Sequence, residues 1–149
     1  MNIERTIHIE RSPADLWPWL TETERVQRWN PGIVSDEPTT PGPTGVGTRT
    51  KMKLREGSEI VDYDTELTAY EPDRLVALEM RGGKLGASPM HVRYTVSSLN
   101  GGSELRYRAT WRPREMTLRL MSPLIAIVAC RQCRRSLAGL KELAEGAGV

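Results

Sequence analysis

Residues 114–145 read REMTLRLMSPLIAIVACRQCRRSLAGLKELAE, and how this stretch folds decides how the rest of the chain must be arranged. At about 100° per residue, Ala126, Ala129, Cys130, Cys133, Leu137, Leu140 and Ala144 fall on one side of a helix. Arg131, Arg134, Arg135, Lys141 and Glu142 fall between them on the other side, as an amphipathic helix requires. Pro123 stands near the beginning, where it either starts the main helix or kinks a longer one. The stripe facing inward is unusually small, with three Ala and two Cys among its seven residues. Such a stripe packs very close to a partner or leaves unfilled space beneath it. A second apolar set, Leu120, Leu124, Ile127 and Val128, lies away from the stripe. Burial within the monomer is expected for it, with a ligand mouth or a homodimer contact as the alternatives.

Upstream, the chain alternates in period two. Ile3, Arg5, Ile7 and Ile9 alternate with Glu4, Thr6, His8 and Glu10 as a half-buried strand. Ser12-Pro13-Ala14-Asp15 starts a short helix, with Ser12 placed to cap it and Pro13 suited to its first position. Leu16, Trp17, Trp19 and Leu20 form its apolar side. Thr21-Glu22-Thr23-Glu24 starts a second short helix that runs to Trp29 and is stopped by Asn30-Pro31-Gly32. Residues 35–47, with three Pro and three Gly, read as a strand stub followed by an irregular loop.

From Thr48 the alternation is continuous. Thr48, Thr50, Met52 and Leu54 alternate with Arg49, Lys51, Lys53 and Arg55, and Glu56-Gly57 suggests a tight turn. With a two-residue loop there, Lys51 faces Asp62 and Arg49 faces Asp64 outside, while Met52 faces Val61 and Thr50 faces Tyr63 inside. That pairing makes the basic row a charge-paired, solvated face rather than a nucleic-acid patch. Further strands follow around Val76-Leu78-Met80, Met90-Val92-Tyr94-Val96 and Leu105-Tyr107-Ala109-Trp111. Gly82, Gly83 and Gly86 make a flexible loop without the strand-to-helix context of a phosphate cradle.

A strand, two short helices, a run of antiparallel strands and one long helix imply an α+β fold with a one-sided sheet. The 149 residues suit one domain spanning 1–149. Only +2 separates 21 basic from 19 acidic residues, so nothing in the overall charge calls for a nucleic-acid or anionic-membrane partner. The longest apolar run, Pro123 to Cys130, is too short to span a bilayer. No apolar leader follows Met1, and Cys130 and Cys133 fit a reducing compartment, so a cytoplasmic location is expected. The C-x-x-C of these cysteines lies mid-helix on an apolar face, which suits packing rather than redox chemistry. The two His are distant from it, and no metal site is read.

Three segments carry a resemblance. The opening IERTIHIERSPADLWPWLTETERVQRWNPG, the later GVGTRTKMK and the ending SPLIAIVACRQCRRSLAGLKELAEG resemble the START-related (SRPBCC) superfamily, in its polyketide cyclase/dehydrase branch. The resemblance covers nearly the whole chain. It implies a helix-grip fold, in which a curved antiparallel sheet of six to seven strands wraps the C-terminal helix. It also implies a small, largely hydrophobic ligand in the space between them, with no obligatory metal or cofactor. It does not select among cyclases, carriers, receptors and chaperone-activating domains.

Strand parity names the expected lining: Thr50, Met52, Val61, Tyr63, Leu78, Met80, Met90, Val92, Tyr94, Tyr107 and Trp111, with Thr48 and Thr65 beside them. Met121, Ile125 and Ala129 are expected from the helix, and the resemblance implies Trp17 and Trp29 near an entrance gated by the two short helices. Apolar walls with a few convergent hydroxyls suit a small-molecule pocket. No inward strand position is read as His, Asp, Glu or Lys, and His8 and His91 fall on outward parity. Acid–base chemistry usually needs such groups, so no catalytic residue is assigned. The expectation is a pocket that binds a small hydrophobic molecule. One alternative is a cyclase that folds its substrate with help from Tyr63, Tyr94 and Tyr107. The other is a protein-interaction module using Lys51 and Lys53 or the apolar helix patch.

Overall fold

The computed structural model describes residues 1–146. The last three positions of the expected 1–149 domain lie outside the described residues. In chain order the elements are β1 (Asn2–Ile9), α1 (Pro13–Thr21), α2 (Thr23–Trp29), β2 (Ile33–Pro38), β3 (Arg49–Glu56), β4 (Glu59–Glu71), β5 (Leu75–Gly82), β6 (Met90–Leu99), β7 (Gly102–Trp111) and α3 (Met116–Gly146). The sheet is seven-stranded and antiparallel, in the order β1-β7-β6-β5-β4-β3-β2. Strands β2 to β7 form a meander. Strand β1 pairs with β7 at the far edge, Ile3 opposite Ala109 and Ile9 opposite Ser103. The chain leaves one edge of the sheet after β1 and enters the other at β2, and α1 and α2 carry it across. This is the helix-grip architecture, an α+β fold of seven strands with one long C-terminal helix.

Local chemistry sets the boundaries. Ser12 Oγ accepts the Asp15 N–H at 3.2 Å, and Pro13 occupies the first turn of α1. Leu16, Trp17, Trp19 and Leu20 are all buried. The Trp29 indole donates to the Trp19 carbonyl at 2.7 Å, tying α2 to α1. Pro123 neither starts nor stops α3, which runs through it as one 31-residue helix.

The hairpin of β3 and β4 departs from the expected pairing by two residues. Lys51 faces Asp64, Lys53 faces Asp62 and Arg49 faces Glu66 on the outer side, while Met52 faces Tyr63 and Thr50 faces Thr65 inside. Strand β3 continues through Glu56, so the turn falls on Gly57 and Ser58, with Gly57 at φ 64°. Only glycine adopts that backbone without cost. Because the shift is even, every side chain keeps its expected face. Charge pairing along the outer row survives it, with Arg49 Nε 2.8 Å from Glu66 Oε1.

The core has two main parts. Ile9, Leu16, Trp17, Trp29, Leu105, Leu137 and Leu140 belong to one that joins α1, α2 and the C-terminal half of α3 to the sheet. Ile33, Met52, Tyr63, Met80, Leu85 and Trp111 form the other, toward the β5–β6 loop. There the Trp111 indole donates to the Leu85 carbonyl at 3.1 Å, and the Tyr63 hydroxyl donates to Glu56. The first half of α3 is different. Leu120, Leu124, Ile127 and Val128 are exposed, contrary to the burial expected for them. The short helices cover the second half of α3 and do not reach this face.

Gly83 has φ 52°, and a Cβ there would collide with the Tyr63 ring, whereas Gly101 has φ 81° and open space around it. Gly101→Ala therefore loses about 1 kcal/mol to backbone strain alone. Gly83→Ala loses a further 1–3 kcal/mol, in order of magnitude, to overpacking. Urea midpoints of the two variants measure the difference, and equal losses would remove the close approach of Tyr63.

Candidate functional site: a cavity beneath the second helix

A cavity of about 390 Å³ lies between α2 and the inner face of β2 to β7. Nine of the expected lining residues meet there: Trp29, Thr50, Met52, Leu78, Met80, Met90, Val92, Tyr94 and Tyr107. Thr48 and Thr65 join them. Five do not. Tyr63 and Trp111 are core residues whose polar tips bond Glu56 and the Leu85 carbonyl. Val61 and Ile125 pack against that same core. Met121 is 47% exposed on the outer side of α3. Trp17 is buried against Tyr70, ring centroids 5.8 Å apart, and sits outside the cavity.

The expected place between sheet and C-terminal helix also needs correction, because α3 contributes no lining residue. The space under its small side chains is filled from the sheet. Arg5, on the inner face of β1, donates through Nη2 to Cys130 Sγ at 3.0 Å, while its Nε is buried without a partner. Ala129 and Cys133 pack, as Tyr94 and Tyr107 do, against the buried cluster of Ile3, Val92 and Ala109. Burial pushes the Cys133 thiol up to about 11, against the opposing pull of Arg5. A thiol so shifted is a packing group, not a nucleophile at neutral pH.

Helix α2 and strand β2 supply what parity alone missed: Val26, Trp29 and Asn30 from the helix and its end, Ile33 and Asp36 from the strand. Asp36 overturns the expectation that no acid faces inward. Ile33 pairs with Leu54, but a bulge before Ser35 sets Ser35 opposite Lys53 and Asp36 opposite Met52. Without the extra residue Asp36 would face out with the basic row. Val34-Ser35 shows no pattern from which the bulge could be read.

The polar end of the cavity is compact. Thr50 and Thr65 share a hydrogen bond across β3 and β4. Asp36 Oδ1 is buried with no protein partner. Burial raises the Asp36 carboxyl above its usual range, with the Thr50 hydroxyl pulling it partly back. At the other end Tyr94 and Tyr107 lie with ring centroids 5.1 Å apart, and Trp29 meets Tyr94 edge-on at 6.4 Å. Burial raises both phenols well above their usual range, so both stay neutral and able to donate. A small molecule in this space meets mostly apolar walls, the Asp36 carboxyl, several threonine hydroxyls and the phenols of Tyr70, Tyr94 and Tyr107. His8 and His91 stay on the outer strand positions, opposite Glu104 and Thr110 of β7. Among the described residues no group of three or more His, Cys, Asp or Glu is placed to hold a metal.

Comparison with known proteins agrees with this architecture. Over their full lengths the chain and the protein TTHA0849 of Thermus thermophilus superpose with a TM-score of 0.79 at 13% identity. Protein CV1439 of Chromobacterium violaceum superposes with a TM-score of 0.73 at 17% identity, covering 97% of this chain and 98% of that one. The Aha1 dimer from Colwellia psychrerythraea is similar over 97% of this chain and 96% of its own, with a TM-score of 0.66 and 17% identity. No curated protein gives a significant sequence match. At such identities the superpositions establish the fold alone. The family described as polyketide cyclase / dehydrase and lipid transport matches residues 1–145, and the chain belongs to that family.

Proposed function

We propose that the chain is a single ligand-binding domain that holds a small, largely apolar molecule in the cavity beneath α2, anchored at one end by Asp36. The observation that carries this reading is the unpartnered Asp36 Oδ1 in a cavity with otherwise mostly apolar walls. A buried acceptor without a donor costs roughly 1–3 kcal/mol, and a ligand hydroxyl or amine donor would recover it. The volume lies in the range of small-molecule sites, about 300–1,000 Å³. Membership of a family whose description includes lipid transport supports an apolar ligand. No described helix is long and apolar enough to cross a membrane. The two free thiols suit a cytoplasmic protein, which we read as a monomer in solution.

A cyclase is the second reading, favoured by one carboxyl and two neutral phenols facing a common space. In it Asp36 moves the proton, Tyr94 and Tyr107 orient the oxygens, and the walls fold a reactive substrate. Tyr63 has no part, its hydroxyl being held by Glu56.

Native mass spectrometry of the protein purified from its own host, with a denatured control, should find a co-purifying apolar molecule. A hydrophobic fluorescent probe should bind the emptied protein. Leu78→Trp fills the cavity and should weaken probe binding about tenfold or more. Ile60→Trp, at an exposed position of β4 outside the cavity, should leave it unchanged. An empty protein that binds no probe would sink the reading.

The Asp36 carboxyl carries a pH signature. Its folded pKa is raised, so the folded state holds an extra proton between the ordinary value of 3.8 and the raised one. Its contribution to stability is full below the ordinary value and is lost as pH rises through the raised value. Asp36→Asn should therefore gain stability over the parent as pH rises from acid to neutral, read from urea midpoints. A variant that instead loses stability on the same path would show that Asp36 is paired.

A further inference from the structure

The first half of α3 carries six of the ten large apolar side chains left exposed among the described residues. Met116, Leu120, Met121, Leu124, Ile127 and Val128 are between 47% and 75% exposed. They fall within 13 residues, about 18 Å of helix. Leu124 and Val128 share an outward line with Arg131 and Arg135, the four lying within about 60° of one another at 100° per residue. Along that line three turns of Leu, Ile, Val and Met give way to two turns of arginine. Between Glu115 and Glu142 the helix carries five cations and no acid. Arg131, Arg134 and Arg135 are exposed, and none is ion-paired among the described residues.

The cationic half adjoins a groove. Between the α2–β2 turn and α3 a surface cleft of about 550 Å³ is lined by Arg131, Gln132, Arg135 and Ser136, with Val128 at the apolar end and Trp29 at its base. Two guanidiniums and two neutral donors around a cleft suit a phosphate oxyanion. The adjoining residues suit hydrocarbon.

We infer that the outer face of α3 is a docking surface for an anionic phospholipid bilayer, with the apolar half entering the acyl boundary and the arginine groove taking headgroup phosphates. Helices of this kind lie in the interface plane rather than crossing it, and cationic residues beside them are drawn to anionic lipid. A second copy of this chain fits worse. An antiparallel pairing centred on Leu124 brings Arg134 of one copy near Arg114 and Glu115 of the other, and the Glu115 carboxylate is already held by the Ala87 N–H at 2.8 Å. A parallel pairing sets Arg131 and Arg135 against their own counterparts, and residues 116–141 contain no acid to relieve it. The inference does not depend on the ligand reading, although the shared Trp29 puts the groove and the cavity on either side of one side chain.

The test is co-sedimentation of the full chain with vesicles of phosphatidylcholine alone and of phosphatidylcholine mixed with phosphatidylglycerol, at low and high salt, beside light scattering of the lipid-free protein. The chain should be monomeric and should partition onto the phosphatidylglycerol vesicles. Partition should weaken at high salt. The pair Arg131→Glu and Arg135→Glu should reduce it at least about tenfold, and so should Leu120→Ser with Leu124→Ser. All four positions are exposed, and circular dichroism checks that the variants remain folded. Three results would overturn the inference: no partition onto anionic vesicles, equal partition of parent and variants, or a lipid-free dimer that the leucine changes dissociate.

Discussion

The structure depends on the pairing of the first strand with the last. Residues 2–9 lie against residues 103–110, between 94 and 108 positions away along the chain. Closing so long a loop carries an entropic cost, which the eight-residue pairing with β7 and the burial of its inner face offset. Ile3 and Ile9 supply that burial. With β1 fixed beside β7, the next strand in sequence has to reach the opposite edge, and α1 and α2 must cross the inner face. That crossing places α2 over the far part of the sheet. Helix α3, returning from β7, packs on β1, α1 and α2. The cavity is the region that α2 roofs and α3 does not reach.

One inserted residue in β2 then changes what the cavity can do. A strand without the bulge would carry Asp36 outward and leave the cavity walled by apolar groups, threonines and tyrosines. With the bulge, a carboxyl enters beside the Thr50–Thr65 pair, and its Oδ1 is buried without a protein donor. Unpaired buried acceptors are rare because they are costly. Here the cost lies inside a cavity where a ligand could repay it.

Helix α3 divides its work along its length. Leu137, Leu140 and Ala144 are buried where α1 and β1 face them, and the Lys141 ammonium donates to the His8 carbonyl at 2.6 Å. The preceding turns set small residues against Arg5 and the cluster of Ile3, Val92 and Ala109, so the helix sits close to the sheet. Its opposite side stays free for something outside the chain. Stability thus comes mainly from the last turns, and the first turns present a surface.

Much of this was legible from residues alone. Period-two alternation identified six of the strands and which side of each faces in, the Ser12 cap and the Asn30-Pro31-Gly32 stop placed both short helices, and the resemblance joined them into a helix grip. These signals are local: a strand buries every second residue and a cap needs one side chain in reach. Eight lining residues followed from parity for the same reason. Tertiary structure decided the rest. Parity says that Tyr63, Trp111 and Val61 face inward but not which of two inner regions receives them, because that depends on where α2 and α3 cross the sheet. The hairpin register and the position of Asp36 each turned on one or two residues of turn or bulge, where a small shift in pairing has no periodic signature. The arginines and leucines of α3 were visible throughout. Only packing decided that nothing among the described residues covers them, since exposure is set by neighbours distant in sequence.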